Sequence, residues 1–172
     1  MTTLEEQTGT AARRRPEPQP PYGAYASIMA SFGGLLAVGG ALGRLRDQDP
    51  EQPTWLDFVA LTLATFKASR TIARDEVTSF MREPFVEGHA HEGQEERPVQ
   101  TGGMEQAIGE LVTCSRCVGT WAAGALATTQ ILAPRFGRLL TWSLAAAGIN
   151  DWLQAGFAAL TEKANELESQ AG

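Results

Sequence analysis

The sequence predicts an all-α membrane protein built from about three to four transmembrane or interfacial helices. Three observations predict it. Residues 22–42 carry no charge, over a length that crosses a hydrocarbon core of about 30 Å at about 1.5 Å per residue. Two more apolar runs follow, at 118–133 and 139–160. The basic residues fall unevenly between the connections, which is how orientation is set in a bilayer. A mean hydropathy of -0.17 points the other way, but much of that polarity lies in two tails and one long loop.

The 172 residues suffice for one domain. Three parts are expected: a disordered tail over 1–21, a helical membrane domain over 22–160 with a polar loop at 86–103, and a polar tail over 161–172. The first tail is polar and rich in proline, so it cannot bury enough apolar surface to fold alone. Its triplet Arg13-Arg14-Arg15 lies close to the first apolar segment and reads as a cytoplasmic anchor. In that segment Gly33, Gly34, Gly39, Gly40 and Gly43 would let a second helix approach closely. A protein partner or a homo-oligomer through helix 22–42 is therefore expected, in a setting of membrane lipid.

Residues 43–53 carry Arg44, Arg46, Asp47, Asp49 and Glu51 and read as an exposed connection. Thr54 then has the chemistry of an N-cap, with Asp57 at the third helical position. The helix from Trp55 is apolar through Phe66 apart from Asp57, and then meets Lys67, Arg70 and Arg74. It is expected to cross the bilayer with its basic residues snorkelling to one surface. Residues 70–85 are amphipathic and end near Pro84. Within them Arg74, Asp75, Arg82 and Glu83 form either a buried polar cluster or a solvated face.

The loop at 86–103 holds Glu87, His89, His91, Glu92, Glu95 and Glu96, and solvation is expected of it rather than cation binding. A short helix over 104–112 leads to the cysteines. Residues 118–133 are charge-free between Arg116 and Arg135, and with Leu111 to Thr113 added they could span. Along 139–160 the large residues Trp142, Ile149, Trp152, Leu153 and Leu160 share one stripe with Asp151 opposite, while Leu140 and Leu144 lie off it. If this segment spans, Asp151 is an intramembrane carboxylate that needs a partner.

Both cysteines lie in Gly109-Glu110-Leu111-Val112-Thr113-Cys114-Ser115-Arg116-Cys117-Val118-Gly119-Thr120-Trp121. On one continuous helix, Glu110, Cys114, Cys117 and Trp121 would share a face, with the thiols between a carboxylate and an indole. With a turn at Thr113-Cys114-Ser115, Thr113 would act as N-cap, and both cysteines would open a helix whose free N–H groups favour thiolate. Cys-x-x-Cys is half of a four-ligand zinc site, so a metal would need two further ligands. His89 and His91 are the only histidines, and their spacing matches no familiar finger.

That cysteine block, together with Ala64-Thr65-Phe66-Lys67, Arg70, Asp75-Glu76-Val77-Thr78 and Arg82-Glu83-Pro84-Phe85, resembles the bacterial family catalogued as domain of unknown function 1360. The resemblance runs roughly from Trp55 to Asp151. It implies a small multi-pass membrane protein, one member being labelled a sporulation protein, and it brings no assigned activity. The candidate site is the thiol pair Cys114 and Cys117, with Glu110, Trp121, Arg70, Asp75 and Arg82 as possible supporting residues. Relatives often have Pro after the first cysteine where this chain has Ser115, which imposes the turn less firmly.

A net charge of -6 argues against nucleic acid as a partner. Nothing resembles a Ser-His-Asp set, a phosphate loop or a dinucleotide fingerprint, so hydrolase, kinase and dehydrogenase readings are disfavoured and no cofactor is expected. In a four-span arrangement with the N-terminus inside, Arg13, Arg14, Arg15, Lys67, Arg70, Arg74, Arg82, Arg97, Arg116 and Lys163 face the cytoplasm, and Arg44, Arg46, Arg135 and Arg138 face out. The cysteines then lie near a reducing compartment, where a stable disulfide does not persist. Three functions follow from different classes. The first is a non-enzymatic membrane scaffold or interaction protein with a cytoplasm-facing Cys-x-x-Cys site. The second is a membrane thiol-redox or metal-binding protein using Cys114 and Cys117. The third is a soluble helical interaction protein.

Overall fold

A computed structural model describes residues 20–46, 53–88 and 92–171. The arginine triplet, the acidic residues of the connection after Arg46, and both histidines lie outside these residues. The described chain is all-α apart from one two-stranded pairing. Its helices are α1 (Tyr22–Leu45), α2 (Trp55–Arg74), α3 (Ser79–Arg82), α4 (Met104–Thr113), α5 (Ser115–Leu132) and α6 (Pro134–Ala171).

The four long helices form an up-down bundle with α2 at its centre, packed on α5 and α6, while α1 lies against α5. Phe32 of α1 meets Trp121 of α5, and further along Gly43 of α1 faces Ile131. These two helices therefore run parallel. Leu63 and Lys67 of α2 face Gly148 and Asp151 of α6, so this pair also runs parallel to itself and opposite to the first. One end of the bundle carries α3, α4 and the start of α5; we call it the cap end. The other holds the connection after α1 and the single-residue turn at Ala133.

Local chemistry explains the boundaries. Thr54 and Asp57 make a full capping box at the start of α2: the Asp57 N–H donates to Thr54 Oγ1, and the Thr54 N–H donates to Asp57 Oδ2 at 2.9 Å. The expected cap is thus in place. Pro134 opens α6 at the one helical position where its missing N–H is harmless. The expected polar tail after Leu160 continues as helix to Ala171, because Glu162, Lys163, Ala164, Glu166 and Leu167 are good helix formers with no breaker among them. The loop at 86–103 is pinched by β1 (Val86–Glu87) and β2 (Arg97–Pro98), antiparallel with Val86 opposite Pro98.

Large and small side chains are sorted in an unusual direction. Ala60, Ala64, Leu126 and Ala145 form the buried cluster, flanked by Leu61, Leu63, Leu140 and Leu144. Trp55, Phe58, Met29, Leu35, Trp142 and Phe136 lie exposed on the outside. On α6 the expected stripe of Trp142, Ile149, Trp152, Leu153 and Leu160 faces outward. The inner face is Thr141, Ala145 and Gly148, since only small residues let α2 come this close: a Cβ on Gly148 would sit 3.1 Å from the Leu63 carbonyl oxygen.

The glycines of α1 divide in the same way. A Cβ on Gly39 or Gly43 would meet Thr128 or Ile131 of α5 at 2.6 Å, whereas Gly33, Gly34 and Gly40 face open space. Two of the five expected contact glycines therefore seat α1 on α5. Among the described residues α1 is the one helix long and apolar enough to cross a membrane.

Candidate functional site

The cysteine block lies at the cap end, where α4 stops and α5 begins. The turn at Thr113-Cys114-Ser115 is the geometry present, and the continuous helix is not. Cys114, at φ -99° and ψ 101°, leaves the helical region. It serves as both the C-cap of α4 and the N-cap of α5. The cap is one residue later than expected: Thr113 Oγ1 donates back to the Gly109 carbonyl, and the Cys117 N–H donates to Cys114 Sγ at 3.3 Å. The break persists with Ser115 after the first cysteine, so proline is not needed to impose it.

This position shapes the two thiols differently. Cys114 is half-buried and Cys117 exposed. A hydrogen bond from the Cys117 thiol, with the N–H groups of Cys117 and Arg116 and the Arg116 charge, holds Cys114 below its usual range, against some opposing desolvation. Desolvation of its sulfur pushes Cys117 up to about 11, helped by the hydrogen bond and charge of Cys114 and by the Glu110 carboxylate. The pair is thus polarised, with Cys114 the thiol that ionises first and Cys117 its donor.

Glu110 sits beside the pair as the centre of a second network. It accepts from the Tyr25 hydroxyl of α1 and from Gln106 Nε2 at 2.9 Å. Gln106 is buried, and its Oε1 accepts the Gly102 N–H at 2.9 Å. This chain of bonds ties the start of α1, α4 and the loop before α4 together. Gly109 explains how α4 lies so low on the cap: a Cβ there would fall 2.4 Å from the Phe85 carbonyl oxygen.

The other expected supporting residues belong elsewhere. Trp121 packs on Phe32, ring centres 5.1 Å apart. Arg70 is exposed, with its guanidinium over the Phe66 ring at 5.7 Å. Arg82 is 1% exposed and is the buried member of the polar cluster, while Arg74 and Glu83 stay on the surface. Its Nε donates to Glu96 Oε2 at 2.7 Å, and one terminal nitrogen donates to the Ile72 and Asp75 carbonyls and to Thr78 Oγ1. The Thr78 hydroxyl also donates to the Thr71 and Asp75 carbonyls, so Thr78 and the guanidinium together close the end of α2.

Asp75 instead lies 4.0 Å from Lys67, which donates to Asp151 of α6 at 2.8 Å. Asp151 thus has an ion-pair partner on α2. The reading of the sequence missed that this partner is Lys67, together with Tyr25, Gln106 and Glu96. The apolar company of Tyr25 and Asp151 was the available signal, since a polar group in such a run needs a partner. Among the described residues no three His, Cys, Asp or Glu side chains are grouped to hold a metal.

Comparison with known proteins adds a family. The sporulation protein YjcA of Bacillus subtilis (strain 168) is 31% identical over 117 residues, covering 58% of this chain and 95% of that protein. The UPF0713 protein YngL of the same organism is 27% identical over 95 residues, covering 55% of this chain and 73% of that protein. No solved structure gives a significant match. Residues 60–157 match the family described as protein of unknown function DUF1360, and the chain belongs to that family.

Proposed function

We propose that this chain is a multi-pass integral membrane protein that acts as a non-enzymatic scaffold, with its N-terminus and its thiol pair on the cytoplasmic side. In this reading α1, α2 and α6 up to Asp151 cross the bilayer, and α5, about 22 Å long from Val118 onward, crosses where the bilayer is locally thinned. The observation that carries it is the sorting of side chains: alanine, glycine and threonine between the helices, and tryptophan, phenylalanine, leucine and methionine outside. In water such an apolar exterior costs far more than a few hundred Å² of patch allows. In lipid it is the expected arrangement, since close packing of small residues replaces the hydrophobic drive between helices.

Charge supports the orientation. Lys67, Arg70, Arg74, Arg82 and Arg116 belong to the cap end, and Arg44, Arg46, Arg135 and Arg138 to the other, the bias that retains the cap end inside. Lipid is then the partner all round the bundle. A protein partner meets the cap, or a helix of a second copy lies along the open face at Gly33, Gly34 and Gly40. The name of the relative in Bacillus subtilis makes sporulation the first process in which to look for a phenotype. Nucleic acid has no place in this reading.

The test is carbonate washing of membranes, followed by labelling of the cysteines with a membrane-impermeant maleimide. Retention in the membrane with labelling only after permeabilisation is expected. Release by carbonate would replace the reading with a soluble helical interaction protein, and labelling in intact cells would invert the orientation.

A second reading rests on the polarised thiols. Cys114 and Cys117 would then cycle between dithiol and disulfide, or coordinate a metal with ligands from a partner. Replacing both by serine separates the two: the scaffold retains its interactions, and the thiol protein loses its redox response or its metal.

A further inference from the structure

The last part of α6 leaves the bundle. Trp152 still packs on Phe66 of α2, but every residue from Leu153 to Gln170 is exposed, and the helix runs on to Ala171, about 30 Å beyond Asp151 at about 1.5 Å per residue. Leu153, Phe157, Leu160, Ala164 and Leu167 follow one another at steps of four, three, four and three, the spacing of a coiled-coil seam. Phe157 and Leu160 are each 73% exposed, so a single chain gives this seam nothing to pack against. The family match ends at Phe157, so most of the seam is additional to what the family accounts for.

We propose that residues 153–167 form a parallel two-stranded coiled coil with the same segment of a second copy of this chain. The flanking charges select that occupant. With Phe157 and Ala164 at position a and Leu160 and Leu167 at d, Lys163 falls at g and Glu168 at the following e. In a parallel pair, g of one helix faces the next e of the other, so each Lys163 meets a Glu168 across the seam. An antiparallel pair sets g against g and e against e, and Lys163 loses that acceptor. In the single chain Lys163 reaches Glu166 on its own helix, with both side chains more than half exposed. An exposed pair of this kind contributes little and yields to an interhelical one.

Ala164 at a leaves room for close approach. Glu162, Lys163, Glu166 and Glu168, flanking or opposite the seam, keep this straight continuation of α6 out of the hydrocarbon. The inference rests on the membrane reading for one element only: two copies inserted the same way present this segment in parallel.

Single cysteines placed in the full-length Cys114→Ser/Cys117→Ser chain test it in native membranes under mild oxidation. Leu160→Cys is expected to give disulfide-linked dimer at least about fivefold more efficiently than Glu162→Cys, which points away from the seam. Equal cross-linking at both positions, or a monomer with Leu160→Cys, overturns the proposal. So does a Leu160→Cys thiol shielded from maleimide without cross-linking, which would mean a foreign partner. With the native cysteines kept, Lys163→Glu should weaken the dimer in mild detergent by about fivefold, and adding Glu168→Lys should restore it. Failure of the double exchange to restore it overturns the parallel register. Carbonate washing of the same membranes reports the membrane reading separately.

Discussion

Arg82 and Lys67 are both cations of the cap end, and the chain holds them in opposite ways. Arg82 is 1% exposed and gives its protons to Glu96, Thr78 and two carbonyls at the end of α2. Lys67 is 21% exposed, and it joins α2 to α6 through Asp151, itself 41% exposed. The first is a buried charge held by a carboxylate and by several fixed acceptors; losing one side strands the other. The second is an adjustable contact at a boundary, whose worth is to register two helices against each other. Guanidinium suits the first because its fork can meet several fixed acceptors at once, and ammonium on a flexible stem suits the second.

The widest gap between the two should appear on truncation. Arg82→Ala leaves the Glu96 carboxylate, 12% exposed, without its cation and removes a donor from the Ile72 carbonyl, and a loss of about 3–5 kcal/mol is expected. Thermal unfolding in detergent reads this. Arg82→Lys should recover less than half, because one ammonium cannot serve both Glu96 and the α2 carbonyls. A loss under about 1 kcal/mol for Arg82→Ala would put the two cations on the same footing and remove the contrast.

For the open pair the expected effect is smaller. Lys67→Met and Asp151→Asn should each cost about 1 kcal/mol, with a coupling of similar size in a double-mutant cycle. The exchange of the two charges, Lys67→Asp with Asp151→Lys, should return part of the loss. If the surroundings are lipid rather than water, either single change costs more, because the stranded partner has no solvent to turn to. A cycle in detergent against one in bilayers therefore sharpens the comparison and tests the membrane reading together.

Much of the layout was legible along the chain, and what was not has a common cause. The capping box of Thr54 and Asp57 was readable because its parts are three residues apart. α1 was readable from the lack of charge, and the break at the cysteines was one of two stated geometries. Tyr25 with Glu110 and Lys67 with Asp151 join residues 85 and 84 apart, and no local pattern encodes such a pairing. The stripe on α6 was visible, but its direction was not: periodicity gives the existence of a face and says nothing of whether it looks to the core or away. The buried state of Arg82 depends on Glu96 returning across the strand pairing, which short strands of two residues hardly announce.

The thiol pair is a third kind of polar group at the same end, neither enclosed like Arg82 nor ion-paired like Lys67. On the scaffold reading, Cys114→Ser with Cys117→Ser should change stability by less than about 1 kcal/mol, the smallest effect here, since serine is itself a good N-cap. The chemistry should nonetheless be uneven. A lowered pKa means that Cys114 ionises first as pH rises, and a pKa pushed up to about 11 keeps Cys117 protonated through neutrality. At pH 7 iodoacetamide should therefore modify Cys114 faster than Cys117. Mass mapping of the alkylated peptide reads this directly, and the rate at Cys114 should level off at a lower pH than for an ordinary thiol. Equal rates at the two positions would mean that capping at Cys114 does not polarise the pair, and the second functional reading would lose its physical basis.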